Sequence, residues 1–213
     1  MNRVLVAACA ALALLAAGCS SSSPVAAGPG PSDLVGQTEV GDFHGAGLVP
    51  PQPRPAFALT DTAGKPFAFG TATAGRPTLL FFGYTHCDAE CPATMADVRL
   101  ALRDVPASVA ERTDVVFVTT DVRRDTGRAI KRWLAQFSIG TKATWIGLRG
   151  TQDEIDAAQA AAHIPIAEDG GETHSAEVLL YGPDDYAHVA FLLGSNEGKQ
   201  MAHDLPIVAG EGS

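Results

Sequence analysis

Cys87 and Cys91 stand with three residues between them in Gly83-Tyr84-Thr85-His86-Cys87-Asp88-Ala89-Glu90-Cys91-Pro92. Thiolate is the form of cysteine that binds soft metals and attacks disulfides. The pair therefore admits a metal site, a dithiol–disulfide couple or a plain structural bridge. A bridge across so short a loop removes little unfolded-state entropy, which makes it a poor staple. A third ligand from another loop would favour metal. The best candidate is His174, in Gly170-Gly171-Glu172-Thr173-His174-Ser175, just before a strand-like run. By spacing alone, a lone loop histidine is more often solvated than ligating. His86 adjoins Cys87, and adjacent side chains tend to point apart, so it is left out of the ligand set. His44 falls in a polar stretch, His163 at a helix end, His188 in a strand pattern and His203 in a terminal helix. Surface or core is the ordinary reading for each.

The elements that must position these residues follow from periodicity. Thr78-Leu79-Leu80-Phe81-Phe82 reads as a strand buried on both faces. After Pro92, the apolar residues Met95, Val98, Leu102 and Val105 recur at helical spacing. Proline suits the first helical position. That predicts Cys91 at the N-cap, near the positive end of the helix dipole, with Cys87 in the loop folding toward it. Asp114–Thr120 reads as a second buried strand. Ile130, Trp133, Leu134 and Phe137 mark one face of a helix that Asp125 would cap. Ala143–Leu148 is a third strand, and Thr151-Gln152-Asp153-Glu154 is a capping-box pattern opening a further helix. Upstream, Phe57–Asp61 and Pro66–Phe69 form a small hairpin. Downstream, Ala176–Tyr181 and Ala187–Leu193 are joined by Gly182-Pro183-Asp184-Asp185, too short for a crossover helix, so they pair antiparallel. A last amphipathic helix runs from Ser195 to about Leu205. This order predicts an α/β fold of the thioredoxin-like type. It has a central, mostly parallel sheet, a C-terminal antiparallel hairpin and flanking helices. The cysteine loop then lies at the carboxyl end of a central strand, where open α/β sheets place their ligand sites.

The chain's 213 residues are 46% hydrophobic and 18% charged, ordinary values for a protein with a sizeable core. A formal charge of -9 argues against a nucleic-acid partner, because neutralising phosphates needs a basic face. Asn2-Arg3 followed by the apolar run Val4–Ala17 is short for a membrane span and fits a secretory signal. Leu15-Ala16-Ala17-Gly18-Cys19 resembles a bacterial lipoprotein processing site, in which the cysteine becomes the lipidated first residue. On this reading residues 1–18 are a signal peptide and Cys19 is the lipid anchor. Residues 19–53 are a Ser/Gly/Pro-rich tether, 54–208 the folded domain and 209–213 a tail. The domain is exported and held on the extracytoplasmic side of the cell membrane. Cys9 leaves with the signal, so Cys87 and Cys91 are the cysteines of the exported domain.

Three segments carry a family resemblance. Tyr84-Thr85-His86-Cys87-Asp88-Ala89-Glu90-Cys91-Pro92 resembles the CxxxCP signature of the Sco/SenC copper chaperones. Thr120-Asp121-Val122-Arg123-Arg124-Asp125-Thr126 is similar to that family's strand-end segment, with Val122 where proline is usual. His174-Ser175, followed by strand residues and Pro183-Asp184, matches the segment that holds its metal-binding histidine. The resemblance implies copper, as Cu(I), Cu(II) or both, held by Cys87, Cys91 and His174. It also implies a client, the copper-accepting subunit of a haem-copper oxidase, to be supplied with copper, reduced at its cysteines, or both. Thiolates suit Cu(I), and an added imidazole lets the same set accept Cu(II). Asp121 would support the site from behind the ligands.

The main alternative is a tethered thiol–disulfide oxidoreductase in which Cys87 and Cys91 cycle as a redox pair. Were the segment helical, cysteines four apart would have Cα atoms ~6 Å apart, within disulfide range. Against it, the usual redox pair has two intervening residues, and Ser175-Ala176 stands where thioredoxin-like reductases present a proline. A thioredoxin-superfamily peroxidase would need its threonine one residue further from the cysteine than Thr85 stands from Cys87. Two cysteines and a histidine also suit an open zinc site. The resemblance favours copper.

Overall fold

Strand β4 (Thr78–Gly83) carries six consecutive buried residues, and so does β5 (Asp114–Thr119) beside it. The two run parallel, with Thr78 opposite Asp114 and Gly83 opposite Thr119. Runs of this kind belong inside a sheet covered on both faces. β6 (Thr144–Arg149) continues the parallel set. On the other side β7 (Val178–Tyr181) runs antiparallel to β4 and turns back into β8 (Tyr186–Phe191). β1 (Ala46–Pro53) closes that edge, and the hairpin of β2 (Ala58–Asp61) and β3 (Pro66–Ala68) closes the other against β6. The strand order is β1-β8-β7-β4-β5-β6-β2-β3. The expected thioredoxin-like arrangement is present, with two added edges. The computed structural model describes residues 42–192 and 196–211. The segments read as signal peptide, lipid-anchor Cys19 and most of the tether lie outside the described residues.

Alternation along β4 sorts its side chains between two cores. Leu79 and Phe81 pack with Met95, Val98 and Leu102 of α2 (Glu90–Asp104), beside α3 (Ala107–Arg112), α4 (Gly127–Ser138) and α6 (Glu197–Val208). Leu80 and Phe82 face Phe57, Phe69 of α1 (Phe69–Ala72) and Ile155 of α5 (Gln152–Ala161). Cys91 belongs to the Phe81 face, where α2 and α6 pack over the sheet.

Several local expectations shift. The eight residues Ala46–Pro53, read as the end of the tether, form an edge strand because β8 offers an unpaired edge to them. Helix α2 starts earlier than Pro92 suggested: Ala89 is its N-cap, so Cys91 is the second helical residue and Pro92 the third. All of the first-turn amides lack intrahelical partners, so proline is tolerated there as well. Thr126, not Asp125, caps α4, accepting the Ala129 amide. The Thr151–Glu154 capping box forms as read.

Arg54 fastens the end of β1. Its side chain is 2% exposed, and Nε donates to Asp185 Oδ1 at 2.8 Å. Nη1 reaches Thr73 Oγ1, and Nη2 the carbonyls of Arg76 and Gly182, each at 2.9 Å. The guanidinium also lies 5.0 Å from the centre of the Tyr181 ring. Arg54→Met keeps the stem but strands these acceptors, and is expected to cost about 3 kcal/mol. Urea unfolding should show a lower midpoint with an unchanged slope.

Candidate metal centre

The chain leaves β4 at Gly83 and enters the cysteine loop. A Cβ at Gly83 would lie 3.0 Å from Cys91 Sγ and 2.7 Å from the Phe81 ring, so glycine lets the thiol sit against the strand end. Cys91 is fully buried and Cys87 half-buried, and both are free thiols. The helix terminus acts on Cys87, not on Cys91 as the N-cap placement implied. Cys87 Sγ accepts the Cys91 amide at 3.3 Å, and the amides of Ala89 and Glu90 at the same helix start also favour its thiolate. Burial works to raise the Cys87 pKa, but those amides outweigh it and hold the thiol below its ordinary value. For Cys91 burial wins and pushes the thiol well up, against a single Tyr84 amide.

His174 reaches Cys91 from the loop before β7. Its Nε2 lies 3.4 Å from Cys91 Sγ. Its Nδ1 lies 2.7 Å from the Ser175 carbonyl. A carbonyl can only accept, which assigns the proton to Nδ1 and leaves the Nε2 lone pair facing the thiol. The ring is fixed edge-on by Tyr84 at 5.4 Å and Phe81 at 6.1 Å. Bonds of about 2.3 Å to sulfur and about 2.0 Å to nitrogen, as around zinc, put two donors roughly 3.5 Å apart at a near-tetrahedral angle. The spacing of Cys91 and His174 fits one ion. Burial, with the neighbouring Cys87 adding to it, raises the Tyr84 pKa to about 12, so its hydroxyl stays protonated beside the site.

Sequence reading underrated Asp125. Taken for a helix cap, it is fully buried and anchors the cysteine loop. It accepts the Thr85 amide at 2.9 Å, Thr85 Oγ1 at 2.5 Å and Thr119 Oγ1 at 2.6 Å. His86 Nδ1 lies 3.3 Å from the same carboxylate. The ligand atoms of His86, Asp121 and Asp125 fall within 4.8 Å of one another. Both carboxylates already have donors, Asp121 from the Arg124 amide and guanidinium. The cluster therefore reads as the scaffold of the loop. The hint in the sequence was two carboxylates following the strand beside the cysteine strand. The histidine loop is fixed to that scaffold too. Thr120 Oγ1 donates to the Gly171 carbonyl at 2.7 Å. Gly171 has φ +99, and a Cβ there would come within 2.0 Å of the Thr120 carbonyl, so glycine is required at this approach.

A labelling experiment checks the electrostatics. With both thiols reduced, iodoacetamide should modify Cys87 first, and Cys91 only on longer exposure or on unfolding. Because its pKa is held down, Cys87 should keep reacting at pH values where an ordinary thiol has slowed, and should slow only as pH falls through the depressed value. Peptide mapping across a pH series reads both outcomes.

Fold and site together define the class: a thioredoxin-like protein with a pair of thiols at the end of its central strand and an imidazole set against the buried one. The chain belongs to the SCO1/SenC family, whose profile matches residues 49–209. A putative copper-binding protein of Stutzerimonas stutzeri is 32% identical over 136 residues, covering 61% of this chain and 64% of that protein. The human mitochondrial SCO1 homologue is 30% identical over 139 residues, 57% of this chain and 44% of that protein. This chain therefore spans between about half and two thirds of these curated relatives. Copper-bound ScoI of Bradyrhizobium japonicum superposes with a TM-score of 0.59 at 28% identity, covering 73% of this chain and 99% of that one. The apo Sco1 solution structure from Thermus thermophilus gives 0.65 at 24% identity, covering 80% and 99%, which supports the fold.

Proposed function

We propose that the protein is a membrane-tethered copper chaperone holding copper as cargo through Cys87, Cys91 and His174. The observation that carries this reading is the imidazole lone pair of His174, 3.4 Å from Sγ of Cys91, the buried member of the cysteine pair. Two thiolates suit Cu(I), and the imidazole extends the set to Cu(II). The copper-bound relative in the same family supports the choice of metal. Cys19 would carry the lipid that keeps the domain on the extracytoplasmic side. Among the described residues no helix is long and apolar enough to cross a membrane. The client is the copper-accepting subunit of a haem-copper oxidase.

Thiol reduction of the client is the second reading. It is favoured by one specific feature: Cys87 is half-exposed, with its pKa held down by helix amides, while Cys91 lies beside it to resolve a mixed disulfide. Incubating the copper-loaded protein with the apo client separates the two. Delivery moves copper to a client whose cysteines are already reduced. Reduction converts an oxidised client to its dithiol with stoichiometric loss of the Cys87 and Cys91 thiols. Transfer of neither copper nor electrons would sink both readings.

A further inference from the structure

The loop that carries His174 lies between α5 and β7, with a short bridge of its own between Glu168 and Thr173. The Gln159 side chain of α5 holds its start, bonding the Pro165 carbonyl and the Ala167 amide; nearer His174, Arg124 joins the Thr120–Gly171 bond in tying it to the end of β5. Arg124 Nη2 donates to Glu172 Oε1 at 2.5 Å. The same guanidinium pairs through Nε with the buried Asp121 at the end of β5. Its centre lies 5.9 Å from the Tyr84 ring. Tyr84 in turn meets His174 edge-on and interacts electrostatically with Cys87. One side chain thus touches the strand-end loop, the cysteine loop and the histidine loop.

We infer that Arg124 is a positioning residue, a latch that holds the histidine loop over the cysteine pair and sets how long histidine-bound metal is retained. The inference rests on the copper reading above. Arginine suits the post because a planar fork can bond two carboxylates while its face covers an aromatic ring, which an ammonium cannot do. The two halves of the latch differ. Asp121 is fully buried, so that pairing is shielded from salt, whereas Arg124 and Glu172 are 44% and 49% exposed, so theirs is screened as ionic strength rises. The latch therefore opens on the histidine side while Arg124 stays fixed to β5. Opening withdraws the imidazole and leaves the two thiolates in place. Retention of Cu(II) becomes salt-dependent, and retention of Cu(I) does not.

Glu172→Gln in the full chain tests this, since it removes one charge at the exposed end and leaves Arg124, Asp121 and Tyr84 untouched. In metal-free protein, hydrogen exchange at the Gly171 and Thr173 amides, both bonded to the Glu168 carbonyl, is expected to quicken about two- to fivefold. In protein loaded with Cu(II), release to EDTA should quicken by a similar factor. The acceleration that salt causes in the wild type should largely disappear. Release of Cu(I) to a Cu(I)-selective chelator should be unchanged. Equal exchange in variant and wild type, or equal Cu(II) release, overturns the latch. If the wild type holds no Cu(II), the copper reading fails by itself and the exchange measurement alone decides the latch.

Discussion

Cys91→Ser is expected to abolish tight copper binding in both oxidation states, while His174→Ala removes tight Cu(II) binding and leaves Cu(I) bound. The asymmetry follows from ligand type. Serine replaces a polarisable thiolate with a hydroxyl that stays protonated, in a pocket that is fully buried and cannot supply a substitute ligand. Losing a hydrogen-bond partner behind a ligand costs 10- to 100-fold in affinity, so loss of the ligand itself should cost more than about a hundredfold. In the proposed ligand set, His174 supplies the borderline nitrogen that suits Cu(II). Without it, Cys87 and Cys91 still offer Cu(I) two thiolates, and Cu(I) affinity should move by less than about tenfold. Competition titrations with a Cu(I) chelator and, separately, a Cu(II) chelator read both effects. Loss of Cu(I) binding in His174→Ala would mean that the imidazole is needed in both states.

Asp125→Ala should be the most destabilising single change near the site. It deletes a fully buried carboxylate and leaves the Thr85 amide, Thr85 hydroxyl and Thr119 hydroxyl without their acceptor. Hydrogen bonds to a charged group are worth about 1.5–3 kcal/mol each, and they are not additive, so a loss of about 4 kcal/mol is expected. For a chain of this size that lowers the melting temperature by about 10 °C. Asp125→Asn keeps the shape and one acceptor, and should fall between wild type and Ala. Copper affinity should drop in the same order, because Thr85 is two residues from Cys87 and its tether to Asp125 aims the loop. Calorimetry of the three proteins, followed by copper titration of each below its melting range, checks the order.

The parts of the fold legible in the sequence were those written in apolar pattern. The runs at Thr78–Phe82 and Asp114–Thr120, the helical face from Ile130 to Phe137 and the short turn at Gly182–Asp185 each admit one structure, and each formed. Edge strand β1 was not legible. Ala46–Pro53 is rich in proline and carries no alternation, and only the free edge of β8 makes it a strand. Helix α3 is six residues long, too short for periodicity to declare itself. At the site, Cys87, Cys91 and His174 were singled out from residue type and family resemblance; the structure sets His174 against Cys91, but the three ligand atoms do not all lie within 4.8 Å of one another. Their roles at the helix terminus came out reversed, because Pro92 marks a first-turn position without saying which one. Asp125 and Arg124 were hidden for a different reason. Their partners Thr85, Tyr84 and Glu172 lie some 40 to 48 residues away, and no local pattern encodes such contacts.

The most direct measurement is the nitrogen hyperfine spectrum of the Cu(II)-loaded chain by pulsed electron paramagnetic resonance, recorded for wild type, His174→Ala and His86→Ala. Coordination by Cys87, Cys91 and His174 predicts coupling to one imidazole nitrogen, kept in His86→Ala and gone in His174→Ala. Coupling that persists in His174→Ala, or that vanishes with His86, would contradict the assignment of His174 as the third ligand.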